Sequence, residues 1–179
     1  CIRDAMLAVS GKLDLHQPDG SPVANSEGPV LALMRFGALT VERPVRSVYL
    51  PIVRDQVPEA LAVFDFAEPS LVVGDREVTS VPSQALYVMN SAFVQRAAEG
   101  MADRLLDRDL RGTALATAAF QLAFGRPPSQ GELQATNHFF ESFNAAEAAR
   151  SQGKDRLSKA SLVAFCQGLL GSAEFRYLN

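Results

Sequence analysis

Apolar residues recur at helical spacing through much of the chain, and the longest such pattern begins after Pro82. Six of them lie three or four positions apart and form one stripe through about six helical turns: Leu86, Met89, Phe93, Ala97, Met101 and Leu105. Asn90 and Ser91 interrupt the stripe, and their residue types favour helix ends. The pattern predicts one long helix or two abutting helices, over 83–89 and 91–107, with Leu86 and Phe93 in the core.

Two glycines are placed to close further helices, because glycine adopts the left-handed backbone conformation of a helix C-terminus without strain. Gly11 follows a helical pattern over 2–10, and Gly125 follows an alanine-rich pattern over 112–124. A shorter helix is predicted between Pro58 and Asp65, since proline suits the first helical turn.

A capping box marks the clearest helix start in the chain. Ser129 and Glu132 follow two prolines at the spacing that lets each side chain bind the other residue's backbone N–H, so a helix is predicted from Ser129 towards Arg150. A last amphipathic helix carries Phe165 into the core and ends near Gly171.

The rest of the N-terminal half reads as irregular. Residues 12–29 are rich in Asp, Pro, Gly and Ser and predict an exposed loop. The β-branched residues that follow predict short strands near 38–42 and 46–50, forming a ribbon. Together these patterns predict a mainly α, multi-helix orthogonal or bundle-like single domain over 1–179, with a short β-ribbon and a long irregular central segment.

Composition excludes several classes of partner. The chain has 179 residues, 47% of them apolar, and a formal net charge of −3, so a nucleic-acid surface is not expected. No apolar run approaches the roughly 18 residues that a membrane-spanning helix requires. Cys1 and Cys166 cannot form a disulfide framework or a zinc knuckle, and Cys166 is expected to be a small buried apolar residue. Because Cys1 opens directly into a helical pattern without a cap, we expect a piece of a longer polypeptide.

Residues 46–94 contain the candidate binding residues, because polar side chains there lie among apolar ones and need partners if they are buried. The candidates are Arg46, Tyr49, Arg54, Asp65, Arg76, Gln84 and Asn90. The arginines either pair with acids such as Asp65 in a buried polar layer or bind an anionic ligand. Acid/base catalysis by two carboxylates of the segment is a further alternative, but spacing selects no pair.

No sequence motif for nucleotide, zinc or nucleophile chemistry occurs in the chain. The two histidines do not form a catalytic pattern. His16 is expected in a solvated loop and His138 on a helix surface, each in a structural or solvent-exposed role. Catalytic residues are therefore not predicted, and whether the protein is an enzyme stays open.

Several segments of the chain resemble a known family. The stretch RSVYLPIVRDQVPEALAVFDFAEPSLVVGDREVTSVPSQALYVMNSAFV, the connection LAFGRPPSQGEL and the ending FCQGLLGSAEFRYLN are similar to the C-terminal domain of unknown function "fifteen fifty-three" of large planctomycete proteins. The opening IRDAMLAVSGKLD matches its usual entry. The elements VPSQALYVMN and FGRPP are the most distinctive.

The resemblance implies a context and no reaction. Such domains usually follow a companion domain, often downstream of a cytochrome-c-like domain with a CxxCH haem site, in exported or cell-envelope proteins. This chain has no CxxCH, so no cofactor is expected in it and any haem would belong to an upstream domain. The family has no established catalytic residues to carry over.

Three functions are consistent with these observations. The first is a non-catalytic scaffolding or interaction module that packs against its N-terminal companion domain. The second is part of a polysaccharide-degrading or anionic-glycan-binding protein that uses the central arginines and carboxylates. The third, a docking surface for electron transfer to haem, is supported only by the family's neighbouring domains.

Overall fold

The computed structural model describes residues 1–20, 43–50, 52, 57–66, 82–150 and 159–177. These residues are mainly α-helical, as predicted, and contain about eight α-helices and no β-strand. The helices are α1 (Ile2–Val9), α2 (Glu59–Ala62), α3 (Pro82–Asn90), α4 (Ala92–Leu106), α5 (Gly112–Phe124), α6 (Gln130–Arg150), α7 (Lys159–Gly171) and α8 (Ala173–Arg176).

The strand predicted at 46–50 is wrong. A 3-10 helix, Ser47–Tyr49, occupies these residues, and the backbone N–H of Tyr49 donates to the carbonyl of Arg46 at 2.9 Å. The described part of this region has one isolated parallel bridge, between Asp14 and Val45. The other predicted strand, 38–42, lies outside the described residues.

The chain divides into two compact units. The first consists of Cys1–Ala8 and Lys12–Tyr87, and the second of Val9–Gly11 and Val88–Asn179. The assignment of 1–179 to a single domain stays a prediction.

The first unit has a small apolar core around the short helix α2. Its buried members are Val45, Leu50 and Leu61, and Tyr49, Ile52 and Val57 pack against them. Beside this cluster the ring of Phe64 meets the ring of Tyr87 edge to face, with centroids 5.9 Å apart. Such an arrangement is favourable for aromatic pairs because the positive ring edge faces the negative ring face.

The second unit is organised around the packing of α4 against α7. Small residues on α4, such as Ala98 and Ala102, are fully buried and let the two helices approach closely. The buried apolar residues of the two helices are Val94, Ala97, Ala98, Met101, Ala102 and Leu105 on α4, and Leu162, Phe165, Cys166, Leu169 and Leu170 on α7. The predicted burial of Phe165 and Cys166 is confirmed.

Local chemistry at the helix ends agrees with the sequence. Gly11 and Gly125 have φ angles of 74° and 72°, in the left-handed region that favours glycine. Ser129 accepts from the N–H of Glu132 at 3.3 Å, and a carboxylate oxygen of Glu132 accepts from the N–H of Ser129 at 2.6 Å. The capping box and the helix that it starts are therefore confirmed.

The predicted apolar stripe is correct along α4 but wrong along α3. Phe93 is half-buried, whereas Leu86 and Met89 are 60% and 67% exposed. The buried positions of α3 are instead Gln84, Tyr87 and Val88.

A break between the two helices explains this difference. Ser91 has an extended backbone, with φ −67° and ψ 128°, and its side chain accepts from the N–H of Phe93. The amide of Gln167 donates to the carbonyls of Val88 and Met89, which satisfies the end of α3. Since α3 ends and α4 begins anew at Ser91, the helical phase of one does not continue into the other.

Candidate functional site

The candidate residues of the central segment lie in different environments. Arg46 is exposed, directly before the 3-10 helix, so it does not belong to a buried polar layer. Tyr49 is half-buried against the core of the first unit. The backbone hydrogen bond between these two residues places them in one turn. Arg54 and Arg76 lie outside the described residues.

Three further candidates are spread along the chain. Asp65 is half-buried and has a φ angle of 57°, a conformation that is uncommon for residues other than glycine. Gln84 is buried on α3, as expected of a residue in a polar layer. Asn90 is exposed at the last position of the same helix, so it is not part of such a layer. Their roles in binding stay predictions.

In the described part of the first unit, a buried guanidinium belongs to Arg3, which sequence reasoning did not single out. Arg3 is only 3% exposed, and its side chain donates to the carbonyls of Val45 at 2.9 Å and Arg43 at 2.5 Å. Burial lowers the pKa of Arg3, while the carboxylate of Asp4 opposes that change. The cation is kept charged by hydrogen bonds and a neighbouring acid.

Asp4 extends this polar centre to the 3-10 helix. One of its carboxylate oxygens accepts from the N–H of Ser47 at 2.8 Å and from the Ser47 hydroxyl at 2.6 Å. The same oxygen lies 3.5 Å from the guanidinium of Arg3. Because these bonds fix α1 to residues 43–47, we interpret Arg3 and Asp4 as structural. The sequence signal was the pair Arg3–Asp4 inside an otherwise apolar helix.

A second cluster, which we call the Arg126 clamp, consists of Arg126, Glu132 and Glu174. The guanidinium donates to the two oxygens of Glu132 at 2.7 and 3.0 Å, and to the two oxygens of Glu174 at 2.6 and 2.7 Å. A further bond of 3.1 Å goes to the carbonyl of Pro127. Since a guanidinium has five N–H donors, these five bonds use all of them.

The clamp accounts for the distinctive FGRPP element as a structural device. Arg126 follows the glycine that ends α5, and its guanidinium carbon lies 5.7 Å from the ring centroids of both Phe120 and Phe124. Glu132 belongs to the capping box of α6, and Glu174 lies on α8. One side chain therefore connects three helices of the second unit.

Mutual electrostatic stabilisation shifts the pKa values of the clamp. The carboxylates raise the pKa of Arg126. Hydrogen bonding to Arg126 lowers the pKa of Glu174, and hydrogen bonds from Arg126 and from the N–H of Ser129 lower that of Glu132 from 4.5 to about 2.

The lowered pKa of Glu132 predicts an acid-dependent loss of stability. A carboxyl group whose pKa is lower in the folded than in the unfolded chain stabilises the fold above its unfolded pKa of 4.5, and that contribution is lost as the pH falls towards 2. We expect Glu132→Gln to lower the urea midpoint most above pH 5, with the difference from the parent shrinking towards pH 2. Glu141→Gln, at an exposed position of the same helix, is the control. A difference that stays constant with pH would contradict the prediction.

The remaining reactive side chains occupy ordinary positions. Burial raises the pKa of the Cys166 thiol to about 12, which disfavours the nucleophilic thiolate. His16 is exposed, and its ring nitrogen Nδ1 lies 2.8 Å from a carboxylate oxygen of Asp14. His138 is exposed on α6, as predicted. In the part of the chain that the structure describes, no three His, Cys, Asp or Glu residues are grouped to hold a metal ion, and no helix is long and apolar enough to cross a membrane.

Comparison with known proteins assigns the family. Residues 1–140 match the model of the family PSD1, described as "Protein of unknown function (DUF1553)". The chain belongs to the DUF1553 family. No curated protein matches the chain. No solved structure matches it either.

The matched range confirms the resemblance seen in the sequence and sets its extent. It includes the central segment, the FGRPP element with Arg126, and Glu132. It ends at residue 140, within α6, so the ending FCQGLLGSAEFRYLN lies beyond it. The Arg126 clamp therefore joins two residues of the DUF1553 match to Glu174, which lies outside it.

Proposed function

We propose that this chain is an accessory interaction module of a larger exported protein, and that it binds the companion domain preceding it in the same polypeptide. Its work in this proposal is scaffolding, and any haem of the parent protein is bound in another domain. The companion domain and the export come from the family resemblance. The interaction surface comes from the geometry of α3.

Two exposed apolar side chains on α3 carry the proposal. Leu86 and Met89 are three positions apart on one helix and therefore project from the same side of it. The helix Pro82–Asn90 contains no charged residue, so a partner surface that covers it does not have to bury a charge from it. Large apolar residues grouped on a surface commonly mark a protein–protein contact.

The polar and reactive groups described in each unit support a structural role over a catalytic one. Arg3 is buried and bonded to backbone carbonyls, and all N–H donors of Arg126 are used within the chain. Cys166 is buried with a raised pKa. Groups that are already bonded or protonated at neutral pH are poorly suited to bind or attack a substrate.

The proposal is tested by measuring binding of this chain to the separately expressed segment that precedes it in the parent protein. The double variant Leu86→Ser/Met89→Ser is expected to bind at least about tenfold more weakly, a loss of about 1.4 kcal/mol. The matched control is Val48→Ser, since Val48 is also an exposed apolar residue but lies on the 3-10 helix. Circular dichroism of each variant shows whether its helices are intact.

Equal affinity of the double variant and the parent chain would overturn this assignment of the surface, and no binding by the parent chain would overturn the proposed function. The alternative function, binding of an anionic glycan, has the exposed position of Arg46 in its favour. It would be supported if the parent chain bound a sulfated oligosaccharide and Arg46→Ala abolished the binding without loss of stability.

A further inference from the structure

We propose that α8 is a releasable strap, and that the bond between Arg126 and Glu174 controls its release independently of the helices beneath it. The proposal concerns the second unit alone and does not depend on the proposed function. It assigns a conformational role to the FGRPP element. Three features of the second unit support it: the short length of α8, the different environments of the two carboxylates of the Arg126 clamp, and the bonds that these carboxylates make.

The helix α8 is too short to be stable by itself. It consists of Ala173–Arg176, and isolated helices shorter than about 12 residues are marginal in water. Its local support consists of the Ser172 side chain, which accepts from the N–H of Phe175 at 3.2 Å, the Ser172 carbonyl, which accepts from Nε of Arg176 at 3.4 Å, and the Ala173 carbonyl, which accepts from the N–H of Tyr177 at 2.9 Å. Beyond that it depends on packing against α5 and α7 and on Glu174. Loss of the Glu174 bonds therefore removes one of the few side-chain contacts that hold it to the rest of the unit.

The two carboxylates of the clamp are not equivalent. Glu132 sits in the first turn of the long helix α6 and is also bonded to Ser129 in the capping box. The carboxylate of Glu174 has Arg126 as its bonded partner and is 42% exposed, against 33% for Glu132. Because water reaches Glu174 readily, its separation from Arg126 leaves no buried charge.

In this proposal the geometry of the Arg126–Glu174 ion pair makes its opening all-or-none. Glu174 binds through both oxygens, to Nε and Nη2 of Arg126, in the two-bond geometry that only a planar guanidinium offers. Both bonds break together when Glu174 leaves, while the bonds to Glu132 keep Arg126 in place. Local opening of this kind, below the free energy of global unfolding, is common at short peripheral elements.

Hydrogen exchange of single amides tests the strap. The reporters are the N–H groups of Phe175 and Tyr177, which are bonded to Ser172 and Ala173. Glu174→Gln and Arg126→Lys are expected to accelerate their exchange at least about tenfold while the amides of α4 and α7 keep their rates. The matched control is Asp103→Asn, which removes another exposed ion pair of the second unit, between Asp103 and Lys159.

Each outcome decides the proposal. Unchanged exchange at both reporters would overturn it, as would equal acceleration throughout α4 and α7 or the same effect in Asp103→Asn. If either variant does not fold, the unmodified chain is measured in about 1 M salt, which weakens exposed ion pairs such as that of Arg126 and Glu174. Faster exchange confined to the two reporters then supports the strap, and unchanged exchange overturns it.

Discussion

Leu105→Ala is expected to lower the free energy of unfolding by about 2–5 kcal/mol. Leu105 lies near the end of α4 and is fully buried in the second unit. Replacing it removes apolar surface from the core and leaves a cavity, because packed neighbours relax only in part. Urea unfolding followed by circular dichroism measures the change as a lower midpoint with an unaltered slope.

The neighbouring leucine offers a matched control. Leu106 is the same residue type on the same helix, next in sequence, but it is 41% exposed. We expect Leu106→Ala to cost less than about 1 kcal/mol, since surface substitutions rarely cost more. Similar losses in the two variants would contradict the packing of α4 against α7. A larger loss for Leu106 would mean that α4 presents its other side to the core.

Helix ends were predictable from the sequence because they depend on residues close together in the chain. The left-handed glycines Gly11 and Gly125 and the capping box of Ser129 are local devices, and each lies where the pattern placed it. At Ser91 the pattern left one long helix or two abutting helices open, and the structure has two, with a residue type that caps helices before the start of α4. Mainly α structure followed from these devices and from the apolar spacing.

The orientation of α3 was not predictable in the same way. Its five consecutive apolar residues, Ala85 to Met89, fit more than one helical face. The choice is made by distant partners: Gln167 binds the last carbonyls of the helix, and the side chain of Val88 lies so near Gly171 that a Cβ there would approach it to 2.8 Å. Contacts between residues this far apart in the sequence cannot be predicted from the spacing of apolar residues within one helix.

The position of the buried arginine was likewise not predictable from the local sequence pattern. Sequence reasoning proposed buried guanidinium groups for Arg46 and Arg76 of the central segment. Arg46 is exposed and Arg76 lies outside the described residues, whereas a buried arginine in the described part is Arg3, more than forty positions before Arg46. The physical requirement was right, since a buried cation does need carbonyls and an acid. Which arginine is buried depends on how α1 packs against residues 43–47. The local sequence pattern does not predict that packing.

Arg3→Met is expected to destabilise the first unit by roughly 3 kcal/mol. Methionine fills similar space but cannot donate, so the carbonyls of Arg43 and Val45 lose a charged donor, and hydrogen bonds to charged groups contribute about 1.5–3 kcal/mol each. Asp4 loses its neighbouring cation as well but keeps two bonds to Ser47, which limits the loss. The midpoint of urea unfolding and the exchange rate of the Ser47 amide, which is bonded to Asp4, should both report the change.

Arg46→Met is the control for that experiment, because it makes the same substitution at an exposed arginine of the same unit. Its unfolding midpoint should stay close to that of the parent chain. Equal losses in the two variants would show that the methionine side chain, rather than the missing donors, is harmful. An unchanged unfolding midpoint in Arg3→Met would contradict the prediction. It would mean that water molecules hydrogen-bond to the carbonyls of Arg43 and Val45 in place of the guanidinium. A loss confined to Arg3→Met, together with faster exchange at Ser47, would establish that the Arg3 cation contributes to holding α1 against residues 43–47, alongside the bonds of Asp4 to Ser47.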